Sequence, residues 1–273
     1  ARRAAEACAT SGGAAVEVVA APLGGEPYPV NRLRNLARRK VNTTHMLVSD
    51  VDFLPSRGLR AAVKEETRWL RNERLALVVP AFQRRGGKCS TIDACRKKLE
   101  PVAETVPGRF GQLSRCLREG DCIVFQGDNS LTSHSTTDSK RWMGELEVRP
   151  IDCFRSNRYE PYVVVRADRR VVPPYDERFV GYGKNKIQHV SHLRRMGFLF
   201  AVLPRQFLVH VPHPRSRDKS TWLNSFRTHQ AVDRLYDSFL RELDESYGGA
   251  TRVNLCTYAR RMRRPQDADS DAA

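Results

Sequence analysis

Between residues 16 and 80, apolar runs of strand length alternate with segments whose apolar residues recur at helical spacing, and few architectures accept that order. Val16 to Ala20 reads as a strand, and Tyr28-Pro29-Val30 leads into a helix carrying Leu33, Leu36 and Ala37. His45-Met46-Leu47-Val48 reads as a buried strand closed by Ser49-Asp50-Val51-Asp52. A helix follows over Leu59 to Leu70 and a strand over Leu75 to Pro80. Strands separated by helices predict an α/β fold with a largely parallel sheet and helices on its faces.

Beyond Pro80 the order is less regular. Gln83 to Arg96, Gly-rich and basic, reads as a loop insertion; Pro101 to Arg118 as partly helical; Ile123 to Gln126 as a short strand; and Gln126 to Lys140 as a polar loop. Tyr162 to Arg166 is a clear strand, and Lys186 to Met196 a helix ended by Gly197. Phe198 to Leu203 and Phe207 to Val211 are two strands split by Pro204. Phe226, Leu235, Phe239 and Leu243 recur at helix spacing, predicting a final amphipathic helix over Trp222 to Leu243. The expected organisation is one domain over residues 1–259 and a disordered tail over 260–273.

Composition narrows the function classes. With 40% hydrophobic residues in 273 the chain can build a core, which excludes wholesale disorder. No apolar run reaches the ~18 residues that a membrane span needs. The chain starts at Ala1-Arg2-Arg3 without Met or a signal-peptide pattern, and reads as a fragment or a processed form. A formal net charge of +16 points first to a polyanion. The basic groups, such as Arg38-Arg39-Lys40 and Arg96-Lys97-Lys98, are separated by acids and no aromatic-interleaved stripe runs among them, so nucleic acid is not the expected partner. An anionic small substrate such as a nucleotide sugar fits the same field. Seven cysteines include no C-x-x-C pair, against a structural zinc site. Cys89/Cys95 and Cys116/Cys122 would suit disulfides in an oxidising compartment, with connectivity left open.

The sharpest local signal is Ser49-Asp50-Val51-Asp52-Phe53-Leu54-Pro55. Two carboxylates one residue apart, at the end of a buried strand, lie where open α/β sheets bind ligands, and such a pair can hold a divalent metal against a diphosphate. They can equally end the strand and cap the next element. Around them, in fixed order, stand Tyr28-Pro29-Val30-Asn31-Arg32-Leu33-Arg34-Asn35, then Glu160-Pro161-Tyr162-Val163-Val164-Val165-Arg166. Tyr175-Asp176-Glu177-Arg178-Phe179-Val180-Gly181-Tyr182-Gly183-Lys184-Asn185-Lys186 and Phe207-Leu208-Val209-His210-Val211-Pro212-His213 complete the set. That ordered set resembles glycosyltransferase family 49, and most closely the C-terminal glucuronyltransferase domain of the LARGE enzymes, from about Tyr28 to the final helix. The segment from Gln83 to Asp121 departs from the family.

The resemblance implies a GT-A fold, a Rossmann-like nucleotide-binding sheet with helices on both faces, whose D-x-D holds Mn²⁺ against the diphosphate of a UDP-sugar. Asp52 would then be the direct metal ligand, Asp50 would assist through the ribose or a metal-bound water, and His210 would complete the metal site, with His213 one shell further out. The base is expected at Asp176, with Glu177 as alternative; either could instead be salt-bridged to Arg178. Asn31 and Arg34 are candidates for reaching the donor, and Lys184 or Arg166 for meeting a uronate carboxylate. Tyr182 and Asn185, around the Gly181-Tyr182-Gly183 turn, are acceptor-side candidates. Trp142 offers either an acceptor platform or a core side chain. His189 and His192 read as a solvated or core-edge face.

The activity implied is metal-dependent inverting transfer of glucuronate from UDP-glucuronate to a xylose-ended glycan acceptor. N-acetylglucosaminyl transfer and an inactive glycan-binding or scaffold protein stand as rivals. By resemblance the protein is a Golgi type II membrane protein whose anchor lies outside this sequence, with the oligomeric state, homodimer included, left open. The family's first nucleotide-binding strand should precede Val16 and is expected to be missing, which predicts weak UDP binding by this segment alone.

Overall fold

The computed structural model describes residues 27–85, 91, 94, 106–127, 132–211, 213–214 and 217–257. The first half contains α1 (Val30–Arg39), β1 (His45–Leu47), β2 (Phe53–Pro55), α2 (Leu59–Glu65), α3 (Thr67–Leu70), β3 (Leu75–Val79), β4 (Ala81–Arg84), α4 (Phe110–Arg118) and β5 (Cys122–Val124). After a 3-10 turn at Ser135–Thr137 come α5 (Ser139–Trp142), β6 (Arg149–Pro150), β7 (Cys153–Phe154), β8 (Tyr162–Arg166), α6 (Ile187–Arg195) and β9 (Leu199–Val202). The chain continues through β10 (Leu208–His210), α7 (Arg217–Asn224), α8 (Phe226–Tyr247) and β11 (Asn254–Leu255).

The continuous apolar run of β3 is buried at every position, as a strand covered on both faces requires. It lies at the centre of a five-stranded sheet of order β1-β8-β3-β9-β6. Strand periodicity divides its side chains between two cores. Ala76 and Val78 of β3 and Val163 and Val165 of β8 join Val190 and Leu193 of α6 on one face. Leu75, Leu77 and Val79 with Tyr162 and Val164 join Leu59 and Leu70 on the other, under α2 and α3. Helices therefore cover both faces, as expected. Phe200, 2% exposed, is among the largest buried side chains, and truncating such a Phe to Ala costs about 3–5 kcal/mol.

The sheet is mixed rather than largely parallel. β1 and β3 run in the same direction, but β8, from far along the chain, inserts between them antiparallel to both; only the β3–β9 ladder is parallel. Local patterning reveals which segments are strands but not which remote strand will separate them. A second, four-stranded sheet of order β2-β10-β4-β5 was not foreseen either. Pro80 and Pro204 each interrupt an apolar run, and after each the chain leaves the first sheet for the second.

The expected helix over Leu59 to Leu70 is split into α2 and α3, and the expected C-terminal helix is α8, capped by the Ser225 hydroxyl accepting from the Thr228 N–H and preceded by a separate α7. Gly197 ends the turn after α6 at φ +80°, where a Cβ would lie 2.7 Å from the Ala250 carbonyl oxygen. Cys116–Cys122 forms a disulfide, as does Cys153–Cys256, which ties β11 to β7. Closing about 100 residues of chain stabilises by about 4.7 kcal/mol in the loop-entropy account. The expected strand over Val16 to Ala20, the Cys89/Cys95 pair and the tail over 260–273 lie outside the described residues. Among the described residues no helix is long and apolar enough to cross a membrane.

Candidate active site

Backbone pairing assembles the site. β2 runs antiparallel to β10 with Phe53 opposite His210, and the Val211 N–H donates to the Asp52 carbonyl at 2.7 Å. The residue just before β2 is thereby held against the end of β10, 158 positions away. Phe53 and Phe125 pack against the His210 ring, with centroids 5.2 and 5.1 Å away, so the imidazole keeps its direction.

Asp52 Oδ2 lies 3.1 Å from His210 Nε2 and 2.7 Å from His213 Nε2. His213 Nδ1 sits 2.7 Å from the Pro214 carbonyl oxygen, which can only accept. That bond places a proton on Nδ1, so Nε2 is the nitrogen through which the ring could ligate a cation shared with Asp52. Orientation of a ligating imidazole by a carbonyl is the usual support of a metal site. Asp52 Oδ1 is buried and has no hydrogen-bond partner among the described residues. Burial pushes the Asp52 carboxyl up, but the hydrogen bond and charge of His210 outweigh it and hold the group below the ordinary carboxylate range. Asp52, His210 and His213 offer one ligand atom each within 4.8 Å of one another. A carboxylate and two imidazoles fit a divalent cation of borderline hardness, and the orphaned Oδ1 is a buried acceptor that such a cation would satisfy.

Asp50 faces the other way. Its Oδ1 accepts from Arg34 Nη2 at 3.1 Å, and its Oδ2 accepts from the Tyr162 hydroxyl and from Lys186 Nζ, both at 2.8 Å. Burial alone would raise this carboxyl, but Lys186 and then Arg34 hold it well below the usual range. Tyr162, Asp50 and Glu160 keep the Lys186 ammonium charged despite its burial. Arg34 is itself fixed by Asn31 Oδ1 at 3.0 Å and Asn185 Oδ1 at 2.9 Å, and the Asn31 amide donates to the Asp176 carbonyl. Asn31, Arg34, Asp50 and Asn185 thus meet in one network.

Other expected residues lie elsewhere. Lys184 Nζ pairs with Asp233 at 2.7 Å and stands 4.4 Å over the Tyr236 ring, away from Asp50. Gly183 at φ +102° and Lys184 at φ +52° turn the backbone, and Lys186 takes the inward direction instead. A Cβ on Gly183 would lie 2.5 Å from the Trp222 ring, so the Gly-Tyr-Gly turn serves packing against α7. Tyr182 is half-buried beside Trp222, ring centroids 6.0 Å apart. Trp142 is wholly buried, donates its indole N–H to the Leu203 carbonyl at 2.8 Å and packs on Phe82 and Phe110; it is a core side chain, not an acceptor platform. Both oxygens of Asp176 accept from Arg178, the shortest contact being 2.6 Å, so this carboxylate is salt-bridged rather than poised as a base. Glu177 accepts from the Asn35 amide at 2.9 Å and lines a separate cavity of 510 Å³ with Arg38, Arg39 and Arg169. Arg166 pairs with Glu73 at 3.2 Å. His189 is a core residue, stacked on Tyr175 at 3.9 Å and lowered by burial to about 3.

His213 belongs beside His210 rather than one shell out, and Lys186, Tyr162 and Glu160 were passed over although all three stand within the ordered motifs. Only the left-handed turn before Lys186 decides which of two nearby lysines points inward, and no residue-type pattern discloses that.

Comparison with known proteins gives this geometry a lineage. Residues 6–248 match the family described as "Glycosyl-transferase for dystroglycan". The chain is 34% identical over 228 residues to the xylosyl- and glucuronyltransferase LARGE2s of Danio rerio, covering 83% of this chain and 28% of that protein. It is 35% identical over 230 residues to LARGE2 of Mus musculus and 31% over 228 residues to LARGE1 of Homo sapiens, with 83% of this chain covered each time and 30% and 28% of those proteins. The chain thus spans less than a third of the length of the relatives it matches. Mixed sheets with helices on both faces agree with the GT-A type, and the chain belongs to glycosyltransferase family 49.

Proposed function

We propose that this domain transfers a sugar, with inversion, from a UDP-sugar to a glycan, and that the donor is UDP-glucuronate and the acceptor a xylose-ended chain. The observation that carries the reading is the buried Asp52 Oδ1, without a hydrogen-bond partner among the described residues, beside two imidazoles whose nitrogens converge on the same carboxylate. Asp52, His210 and His213 would hold Mn²⁺, and the cation when bound supplies positive charge against the charge that develops on the departing diphosphate. Arg34 and Lys186 add a fixed positive potential that suits an anionic donor, while Tyr162 and Asn185 keep both cations in place. The relatives' names, xylosyl- and glucuronyltransferase, support sugar transfer, and the ordered motifs favour the glucuronyl half of that pair. Two disulfides suit an oxidising lumen such as that of the Golgi, with the membrane anchor on a part of the protein beyond this sequence.

The test is UDP release from UDP-glucuronate, UDP-xylose and UDP-N-acetylglucosamine, each offered with xylosides and with lactosaminides, in Mn²⁺ and in chelator. Fastest turnover of UDP-glucuronate on xylosides, abolished by chelator, is the expected result. Turnover that ignores chelator, or that prefers another donor, overturns the corresponding half of the reading.

A further inference from the structure

An inverting transfer needs a base near the acceptor hydroxyl, and the carboxylates around this site are distinguishable by what already occupies them. Asp52 faces two imidazoles, Asp50 accepts from Arg34, Tyr162 and Lys186, Asp176 is held by Arg178, and Glu177 accepts from Asn35. Glu160 differs from all four. It sits on the segment entering β8, fixed by its own N–H donating to the Ser133 carbonyl at 3.0 Å. Its side chain is 16% exposed, and its one charged contact among the described residues is Lys186 Nζ at 3.8 Å, too long for a hydrogen bond. We propose that Glu160 is the general base of the transfer; this rests on the reading of the domain as a glycosyltransferase.

Two carboxylates share Lys186, and their surroundings drive them apart. Asp50, at 2.8 Å, is held far down. Glu160 is pushed up by burial, which the Lys186 charge opposes, while the neighbouring Asp50 charge raises it further and Arg34 lowers it. A pair of acids separated in this way leaves one ionised and makes the other the more basic of the two. The groups facing Glu160 are thus Lys186 ahead of α6, Asp50 after β1 and Arg34 on α1, with the Tyr182 hydroxyl raised in part by the Glu160 charge. Tyr182 and its neighbour Asn185 are the residues that sequence reasoning put on the acceptor side.

In the step, the Glu160 carboxylate takes the proton of the acceptor hydroxyl as that oxygen forms its bond to C1 of the donor sugar. The bond from C1 to the β-phosphate oxygen breaks, its electron pair leaving with UDP. Protonated Glu160 then returns the proton to water through its exposed edge.

The experiment compares wild type, E160Q and E160D in UDP release with acceptor across pH 5 to 9, together with Mn²⁺ titration and thermal unfolding of each full chain. General-base loss predicts that E160Q lowers kcat by about 10²- to 10⁴-fold while Mn²⁺ affinity and unfolding midpoint stay near wild type. The wild-type profile should fall on the acid side, where Glu160 becomes protonated, and that limb should vanish in E160Q, with E160D intermediate. A purely structural Glu160 predicts instead that E160Q lowers the unfolding midpoint and keeps the acid limb of the pH profile. That pattern, or an E160Q kcat within about fivefold of wild type, overturns the proposal. Wild-type turnover reports on the glycosyltransferase reading, and the ratio of variant to wild type reports on Glu160.

Discussion

Asp50 and Asp52 stand two residues apart in one motif and meet opposite surroundings. Asp50 is neutralised from within: two cations and a hydroxyl converge on it from α1, β8 and the residue before α6, so it works as a joint between elements. Asp52 is left incomplete, with one oxygen shared between two imidazoles and the other buried without a partner among the described residues. The two His-x-x-His pairs repeat the contrast. His189 is spent on the Tyr175 ring and the Pro173 carbonyl, whereas His210 and His213 turn toward the same carboxylate. Residues of one type become structural where the chain satisfies them and functional where it leaves them to be satisfied from outside.

The largest effect separating the two regions belongs to Asp52. Asp52→Asn should lower turnover by at least about 10³-fold, since a bound metal contributes several kcal/mol to the transition state, with little change in the urea unfolding midpoint. Lys186→Met should lose stability in addition to weakening donor binding. Removing one partner of a fully buried pair costs about 3–5 kcal/mol, but Asp50 keeps 36% side-chain exposure and solvent screening reduces the cost to about 2 kcal/mol. Asp50→Asn in the same chain should recover more than half of that in urea titration.

A smaller effect follows from His189, whose folded value is depressed to about 3. The unfolded chain binds its proton near pH 6.5, so this contribution is fully present above that pH. It erodes as pH falls toward 3, by about 1.4 kcal/mol per unit. His189→Phe, which keeps a ring against Tyr175, should flatten the acid limb of stability by that slope; an unchanged limb would place the titration elsewhere. The smallest effect belongs to Lys184→Ala, which breaks a pair with the half-exposed Asp233. It should cost at most about 0.5 kcal/mol in a urea melt and leave turnover within about twofold.

Much of this arrangement is legible in the sequence and the rest fails for identifiable reasons. Apolar runs disclose β3, β8, β9 and α8, because burial on both faces or on one stripe is written in residue type. Asp52 and His210 can be named from motif order, and the Phe53–His210 register accounts for their meeting. Strand order is not legible, since β8 pairs across a long separation. Nor is the split of Pro80 and Pro204 between two sheets. The exchange of Lys184 for Lys186 turns on left-handed backbone at Gly181, Gly183 and Lys184, and the burial of Trp142 on a carbonyl of Leu203 that no local pattern connects to it.

The most direct measurement is Mn²⁺ titration, by calorimetry or electron paramagnetic resonance, of wild type, Asp52→Asn, His213→Ala and Lys184→Ala. One cation per chain, bound at least about tenfold more weakly after either change at Asp52 or His213 and unaltered by Lys184→Ala, is the outcome the account requires. Equal affinity in all four proteins would mean that the cation, if held at all, is held by other side chains.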